Sequence, residues 1–286
     1  MKRIAKRLQD FNELVMFQHS IFSLPFIFIA MIVAAHGWFG FKLLVLGAVA
    51  AISARNTAMG FNRYVDRAYD IHNPRTANRP SVDGRLGGTA IALFTFVNAA
   101  VFIAAAYMVN DLAFYVSVPV LIVLLSYSYF KRFSSMAHIV LGISLGLAPM
   151  AGSIAVSETV PLWSVFLSLG VMFWVAGFDL LYSLQDMEFD KSKGLHSIPS
   201  RYGSDATLRI SLVFHTLTIV FWELFVIEAS LGWIAQFAIL LSILMLGYEH
   251  YLVRRDFTKI DRAFFTVNGY LGFVFFGCII LDEVMK

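Results

Sequence analysis

Long uncharged apolar runs constrain this chain more than any other feature. Residues 86–110, 112–130, 133–157, 159–178, 229–248 and 263–281 contain no Asp, Glu, Lys or Arg, and each reaches the roughly 18 residues that mark a membrane-spanning helix. Three further stretches are less clean: 20–35 is short and carries Pro25, 43–60 contains Arg55, and 207–227 contains Arg209 and Glu223. The 286 residues are 59% hydrophobic and 14% charged, far from the balance of a soluble domain. Backbone polar groups in lipid must be satisfied internally, by helices or a closed barrel. Runs without polar alternation select helices, so the sequence predicts an all-α polytopic membrane bundle of nine spans, a single domain over 1–286.

Charge orients the bundle. Of the 22 Lys and Arg residues, all but Lys42 and Lys286 fall in the N-terminal segment, in the loops that follow even-numbered spans, or in the span ends that adjoin those loops. The positive-inside rule then predicts a multi-pass protein of the cell's inner (plasma) membrane, N-terminus in the cytoplasm and C-terminus outside. Over 1–19, Ile4, Leu8, Phe11 and Val15 recur at helical spacing among Lys2, Arg3, Lys6 and Arg7. This pattern predicts an amphipathic interfacial helix. No cleavable signal is expected there. Cys278 is the only cysteine, so no disulfide forms within the chain and a buried, inert thiol is expected.

Against this apolar background stand two acidic clusters of one design, Asn62-x3-Asp66-x3-Asp70 and Tyr182-x3-Asp186-x3-Asp190, the second preceded by Asp179. Corresponding positions differ by 120 in every case, 62 to 182, 66 to 186 and 70 to 190. Side chains four apart share a helix face, with Cβ atoms roughly 6 Å apart. Each cluster is therefore read as a stripe of hard oxygen donors at a cytoplasmic helix end, suited to Mg2+. The first stripe is interleaved with Arg63, Arg67, Arg75 and Arg79, and Lys131-Arg132 marks another cytoplasmic helix end. Acids beside bases suit a cation bridged to a polyanion such as a diphosphate. Arg67, Lys131 and Arg132 are read as its basic contacts; Arg254, Arg255, Lys2 and Lys6 are assigned to topology and lipid headgroups. Asp179 lies deepest, where a lone carboxylate is costly and functional by default, and its depth suits an aromatic substrate better than a metal. The histidines show no metal-ligand spacing. His72 and His196 are candidates for substrate contact, whereas packing or headgroup contact is the default for His19 and His138.

These motifs resemble those of the UbiA superfamily of intramembrane aromatic prenyltransferases. Its paired signature is present without gaps, as Asn62, Asp66, Asp70, Arg75, Thr76, Arg79 and Pro80 in 62–80, and as Asp179, Tyr182, Asp186 and Asp190 in 179–190. The resemblance covers essentially the whole chain. It implies nine transmembrane helices with a cytoplasmic cap over an apolar cavity. It also implies Mg2+ and isoprenyl diphosphate bound by Asn62, Asp66, Asp70, Asp186 and Asp190, diphosphate contacts from Arg67, Lys131 and Arg132, and catalytic, acceptor-binding roles for Asp179 and Tyr182. The implied reaction is ionisation of an allylic diphosphate, then attack by an electron-rich ring carbon. An apolar tunnel for the prenyl tail is expected, to which some of the 28 Phe residues could contribute.

Segments 18–26, 127–133 and 178–199 resemble more specifically the 4-hydroxybenzoate polyprenyltransferase-like branch assigned to menaquinone biosynthesis by the futalosine route. There the expected acceptor is a dihydroxynaphthoate rather than 4-hydroxybenzoate. The partners expected are the diphosphate, the aromatic acceptor and the lipid bilayer, with no nucleic acid. Haem O synthase, of the same superfamily, is the enzymatic alternative. A cation-coupled transporter is the rival from another class, but it predicts charges along a transmembrane route, whereas the acids here gather on one side with arginines. The D-x2-D-G-x2-A-R block of CDP-alcohol phosphotransferases is absent.

Overall fold

The computed structural model describes residues 2–16 and 24–286, and all regular structure among them is helical. An N-terminal helix α1 (Lys2–Leu14) precedes the short apolar α2 (Leu24–Ala35). Then come α3 (Phe41–Val65), the single turn α4 (Arg67–Asp70), α5 (Gly88–Val109), α6 (Asp111–Phe130), α7 (Ala137–Ser157) and α8 (Leu162–Ser183). The chain continues through α9 (Met187–Lys193), α10 (Ile198–Glu228), α11 (Trp233–Arg255), α12 (Ile260–Arg262) and α13 (Asn268–Met285). Eight of the described helical stretches are long and apolar enough to cross a membrane. The ninth expected span is represented by α2, whose 12 residues fall short of the ~20 a full crossing needs. The beginning of that span, residues 20–23, and His19 before it lie outside the described residues.

Turns between helices are set by local chemistry. At the α5–α6 junction Asn110 accepts a hydrogen bond from Ala113 N (2.8 Å) and donates to Ile154 O (2.8 Å), so one residue ends one helix, caps the next and ties both to α7. Ser197 and Ser200 form a reciprocal capping box at the start of α10, with Pro199 in its first turn. That helix begins nine residues before the apolar run 207–227, and Gly203 (φ 80°, ψ 175°) breaks its regular geometry. The exit of α1 is tied down by arginines of α3. Arg55 donates to Val15 O and Met16 O (2.8 and 3.0 Å) and Arg63 to Leu14 O (3.4 Å), satisfying carbonyls that a helix end leaves unpaired.

Lipid offers no hydrophobic drive to helix association, so packing depends on close backbone approach and interhelical hydrogen bonds. The most enclosed spanning stretch, 67% buried, is the one built on α8; that of α5 is only 17% buried, and Leu93 and Phe96 are exposed on it. Glycines bring the neighbours in. A Cβ at Gly142 would stand 2.3 Å from Met172 O, and one at Gly146 would stand 2.8 Å from Ser168 O, so the Gly142-x3-Gly146 stripe seats α7 on the backbone of α8. On the other side of α8, Gly170 and Gly177 receive the Trp222 and His215 rings of α10. A polar knot fastens α8 to the C-terminal helices: Trp174 Nε1 donates to Asn268 Oδ1 (2.8 Å), Asn268 Nδ2 to Glu249 Oε1 (2.7 Å), and His215 Nδ1 lies 3.0 Å from His250 Nε2. At the opposite end, Asp282 accepts from Gly232 N, Ile234 N and Ala235 N and so caps α11.

Candidate active site

Neither acidic motif lies on one uninterrupted helix. Asp66 (φ −87°, ψ 1°) separates α3 from α4, and the 3-10 turn Leu184–Asp186 separates α8 from α9. The breaks swing the motif ends over the bundle, and Asn62, Asp66, Asp70, Asp179, Tyr182, Asp186 and Asp190 all line a single cavity of about 400 Å3.

Basic groups from the segment after α4 cross to these acids. Arg75 forks onto Asp186, with Nε donating to Oδ1 (2.9 Å) and Nη2 to Oδ2; its Nη1 reaches Tyr182 Oη (3.1 Å). Asn73 Nδ2 adds a bond to Asp186 Oδ1 (3.1 Å). Arg79 Nη1 donates to Asp70 Oδ2 (2.7 Å), while Thr76 Oγ1 donates to Asp70 O (2.7 Å) and fixes the loop that carries both arginines. Asn73 and Arg75, in the segment after α4, therefore strap the first motif to the second, which spacing alone did not reveal. Asn62 Nδ2 donates to Asp66 Oδ2 (2.7 Å), and Arg132 Nη2 reaches Asp66 Oδ1 (3.3 Å) while its guanidinium lies over the Tyr69 and Tyr129 rings.

Electrostatics follow from burial against pairing. Burial raises the Asp66 carboxyl above its ordinary range, with Asp70 adding to the effect and Arg132 and Lys131 opposing it. At Lys131 burial acts to lower the ammonium, but Tyr127, Asp190, Asp179 and Asp186 outweigh it and hold the group above its usual value. At Arg75 burial is likewise overridden, by Asp186. Lys131 thus remains a cation between the two motifs, and its carbonyl accepts from His196 N (2.7 Å).

Arg67 departs from expectation. It is exposed, is absent from the cavity lining, and has Nη1 beside Gly88 at the start of α5. Consecutive helical positions point about 100° apart, so a backbone that turns Asp66 inward turns Arg67 out. Arg63, Arg75 and Arg79 line the cavity in its place. The His72 and His196 side chains are exposed and outside that lining. His138, expected to pack or meet headgroups, is fully buried, and its Nδ1 lies 2.7 Å from Asp179 Oδ2, a partner the sequence did not indicate.

Below the acidic mouth the cavity runs between Ala50, Ala51, Ala54 and Ala58 of α3, Val116, Val120 and Leu124 of α6, and Leu145, Ala148 and Ala151 of α7, reaching Val109 and Ile154 near the far helix ends. Small and aliphatic residues make most of this wall; of the described phenylalanines Phe102, Phe178, Phe189 and Phe264 contribute. Arg55 faces the same space and makes no ion pair among the described residues.

The cavity joins a charged mouth to an apolar channel, an arrangement suited to an amphiphile with an anionic head. Residues 23–277 match the UbiA prenyltransferase family, and the chain belongs to that family; it is a membrane prenyltransferase. It is 30% identical over 262 residues, 88% of each chain, to the 4-hydroxybenzoate octaprenyltransferase of Tolumonas auensis, and 27% identical to that of Paracidovorax citrulli, covering 90% of this chain and 87% of the other. Among solved structures, a UbiA homologue from Aeropyrum pernix K1 superposes with a TM-score of 0.85 at 30% identity, covering 92% of this chain and 98% of its own. A UbiA homologue from Archaeoglobus fulgidus bound to DMAPP and Mg2+ shares the fold, with a TM-score of 0.77 at 18% identity and coverage of 97% and 100%.

Proposed function

We propose that the protein transfers a polyprenyl group from an isoprenyl diphosphate to a carboxylated phenolic acceptor of the 4-hydroxybenzoate or dihydroxynaphthoate type, in quinone biosynthesis. The observation that carries this reading is one cavity in which an acid-and-base mouth opens onto an apolar channel. The relatives named 4-hydroxybenzoate octaprenyltransferase support the donor and the acceptor class. The motif resemblance described above favours dihydroxynaphthoate within that class. Both acceptors carry a carboxylate, and Arg55, a cation that faces the cavity and makes no ion pair among the described residues, suits that group. In this reading the N-terminus and both acidic motifs face the cytoplasm.

The donor set fits Mg2+. No three Asp, Glu, His or Cys side chains converge as a cage among the described residues, but Mg2+ favours one or two carboxylates completed by phosphate oxygens and water. Asp190 Oδ2 is buried without a hydrogen-bond partner in the described structure, an oxygen suited to such a ligand. Asn62, Asp66, Asp70, Asp186 and Asp190 would hold the ion, which when bound neutralises the charge on the departing diphosphate. Lys131 and Arg132, with Arg75 and Arg79 released from their carboxylates, would hold diphosphate oxygens. The apolar walls exclude water from the allylic centre.

Purified enzyme supplied with polyprenyl diphosphate and either acceptor tests this. Prenylated product is expected, EDTA should abolish it, and added Mg2+ should restore it. Undiminished transfer in chelator would remove the metal from the reading, and a failure to prenylate both acceptors would remove the acceptor class.

A further inference from the structure

Asp179 does not stand alone in its cavity wall. Its Oδ2 lies 2.7 Å from Nδ1 of His138, a residue 41 positions earlier in the chain and 0% exposed, whereas the Asp179 side chain retains 16% exposure and lines the cavity. The other imidazole nitrogen, Nε2, is buried with no hydrogen-bond partner in the described structure. This geometry selects one arrangement. With the proton on Nδ1, the imidazole donates to the carboxylate and leaves only a bare lone pair at Nε2. An imidazolium would leave a charged N–H there unsatisfied, which costs more. The ring cannot easily turn away, because His138 begins the stripe that continues as Gly142 and Gly146, where α7 sits directly on the α8 backbone.

We propose that His138 is the positioning residue for Asp179: by donating to Oδ2 it fixes the carboxylate so that Oδ1 faces the acceptor's hydroxyl. The inference rests on the acceptor reading of Asp179 given above. During transfer the allylic C–O bond breaks with its electron pair leaving on diphosphate. A ring π pair forms the new C–C bond, and the ring C–H proton is lost to the departing diphosphate or solvent. Asp179 Oδ1 takes the hydroxyl proton while the bond forms and returns it as aromaticity is restored, so the carboxylate ends unchanged. A carboxylate free to rotate would spend much of its time with neither oxygen aligned, which is the loss that His138 prevents.

The test compares His138→Phe, which keeps a ring but removes the donor, with His138→Asn, whose Nδ2 stands where Nδ1 stood. A charge-assisted hydrogen bond of this kind corresponds to roughly 10- to 100-fold. His138→Phe should lower kcat by that amount while binding of an unreactive prenyl thiodiphosphate in Mg2+ stays as in the parent, and His138→Asn should restore most of the rate. Unchanged turnover in His138→Phe, equal loss in both variants, or loss of thiodiphosphate binding with turnover would each overturn the inference. Asp179→Asn, measured in parallel, separates it from the reading beneath it. If Asp179→Asn couples normally, the acceptor role of Asp179 fails and the inference falls with it. If Asp179→Asn loses coupling while His138→Phe keeps it, the acceptor role stands and His138 is not its positioning residue.

Discussion

At the scale of single residues the second motif divides its labour by partner. Asp186 accepts three hydrogen bonds from Asn73 and Arg75 at the mouth, whereas Asp179 sits deeper and faces His138. Asp186→Asn should depress transfer by at least about 10²-fold for every acceptor, the scale of losing one charge-stabilising group, and should abolish thiodiphosphate binding. Asp179→Asn should retain that binding and lose coupling; equal loss of binding in both would place Asp179 in the metal site. Arg55 makes a different prediction. Arg55→Met should raise KM for carboxylated acceptors by roughly 10- to 100-fold and leave a phenol lacking the carboxylate unaffected; an equal effect on both would confine Arg55 to holding Val15 and Met16. The acids were legible because their spacing repeats and their charge is anomalous in an apolar chain. Arg55 and His138 were not, because their meaning comes from partners about 40 positions away. Arg67 lies outside the cavity lining for a related reason: the motif places it beside Asp66 in sequence, but neighbours on a helical turn face different ways.

Helices were legible where hydropathy alone decides them. The runs 112–130 and 133–157 foreshadow α6 and α7 closely, since lipid admits few alternatives to a helix. The breaks at Asp66 and at 184–186 carry no Gly or Pro and were invisible, although they aim both motifs. Close helix approach leaves a signal that can be tested by substitution. A Cβ at Gly142 meets the carbonyl oxygen of Met172 at 2.3 Å, and backbone cannot give way as a flexible side chain can; at Gly247 of α11 nothing lies within 4 Å. Gly142→Ala should therefore destabilise the detergent-solubilised protein by about 1–3 kcal/mol, the usual cost of overpacking. Gly247→Ala should be neutral or mildly stabilising, because alanine is the better helix former. Indistinguishable thermal unfolding of the two variants would show that α7 does not ride on α8 as described.

For the whole molecule, function depends on which end of the cavity meets the cytoplasm, where soluble precursors and Mg2+ are supplied. The charge asymmetry predicts an acidic mouth on the cytoplasmic side, and the geometry adds a consistency requirement. The mouth is built from the loops after α3, α6 and α8, all of which must then lie on one side, while the α5–α6 and α7–α8 turns lie on the other. Ser192, exposed on α9, and Ser157, exposed at the end of α7, report the two sides; Ser81 is fully buried and would be a poor probe. In a Cys278→Ala background, Ser192→Cys should resist an impermeant thiol reagent in intact cells and react once the membrane is permeabilised, whereas Ser157→Cys should react from outside. The opposite pattern would invert the molecule and put the diphosphate site on the face away from its substrates. Labelling of both from outside would mean that α8, the helix between the two positions, does not cross the membrane, and would break the alternation on which the site's sidedness depends.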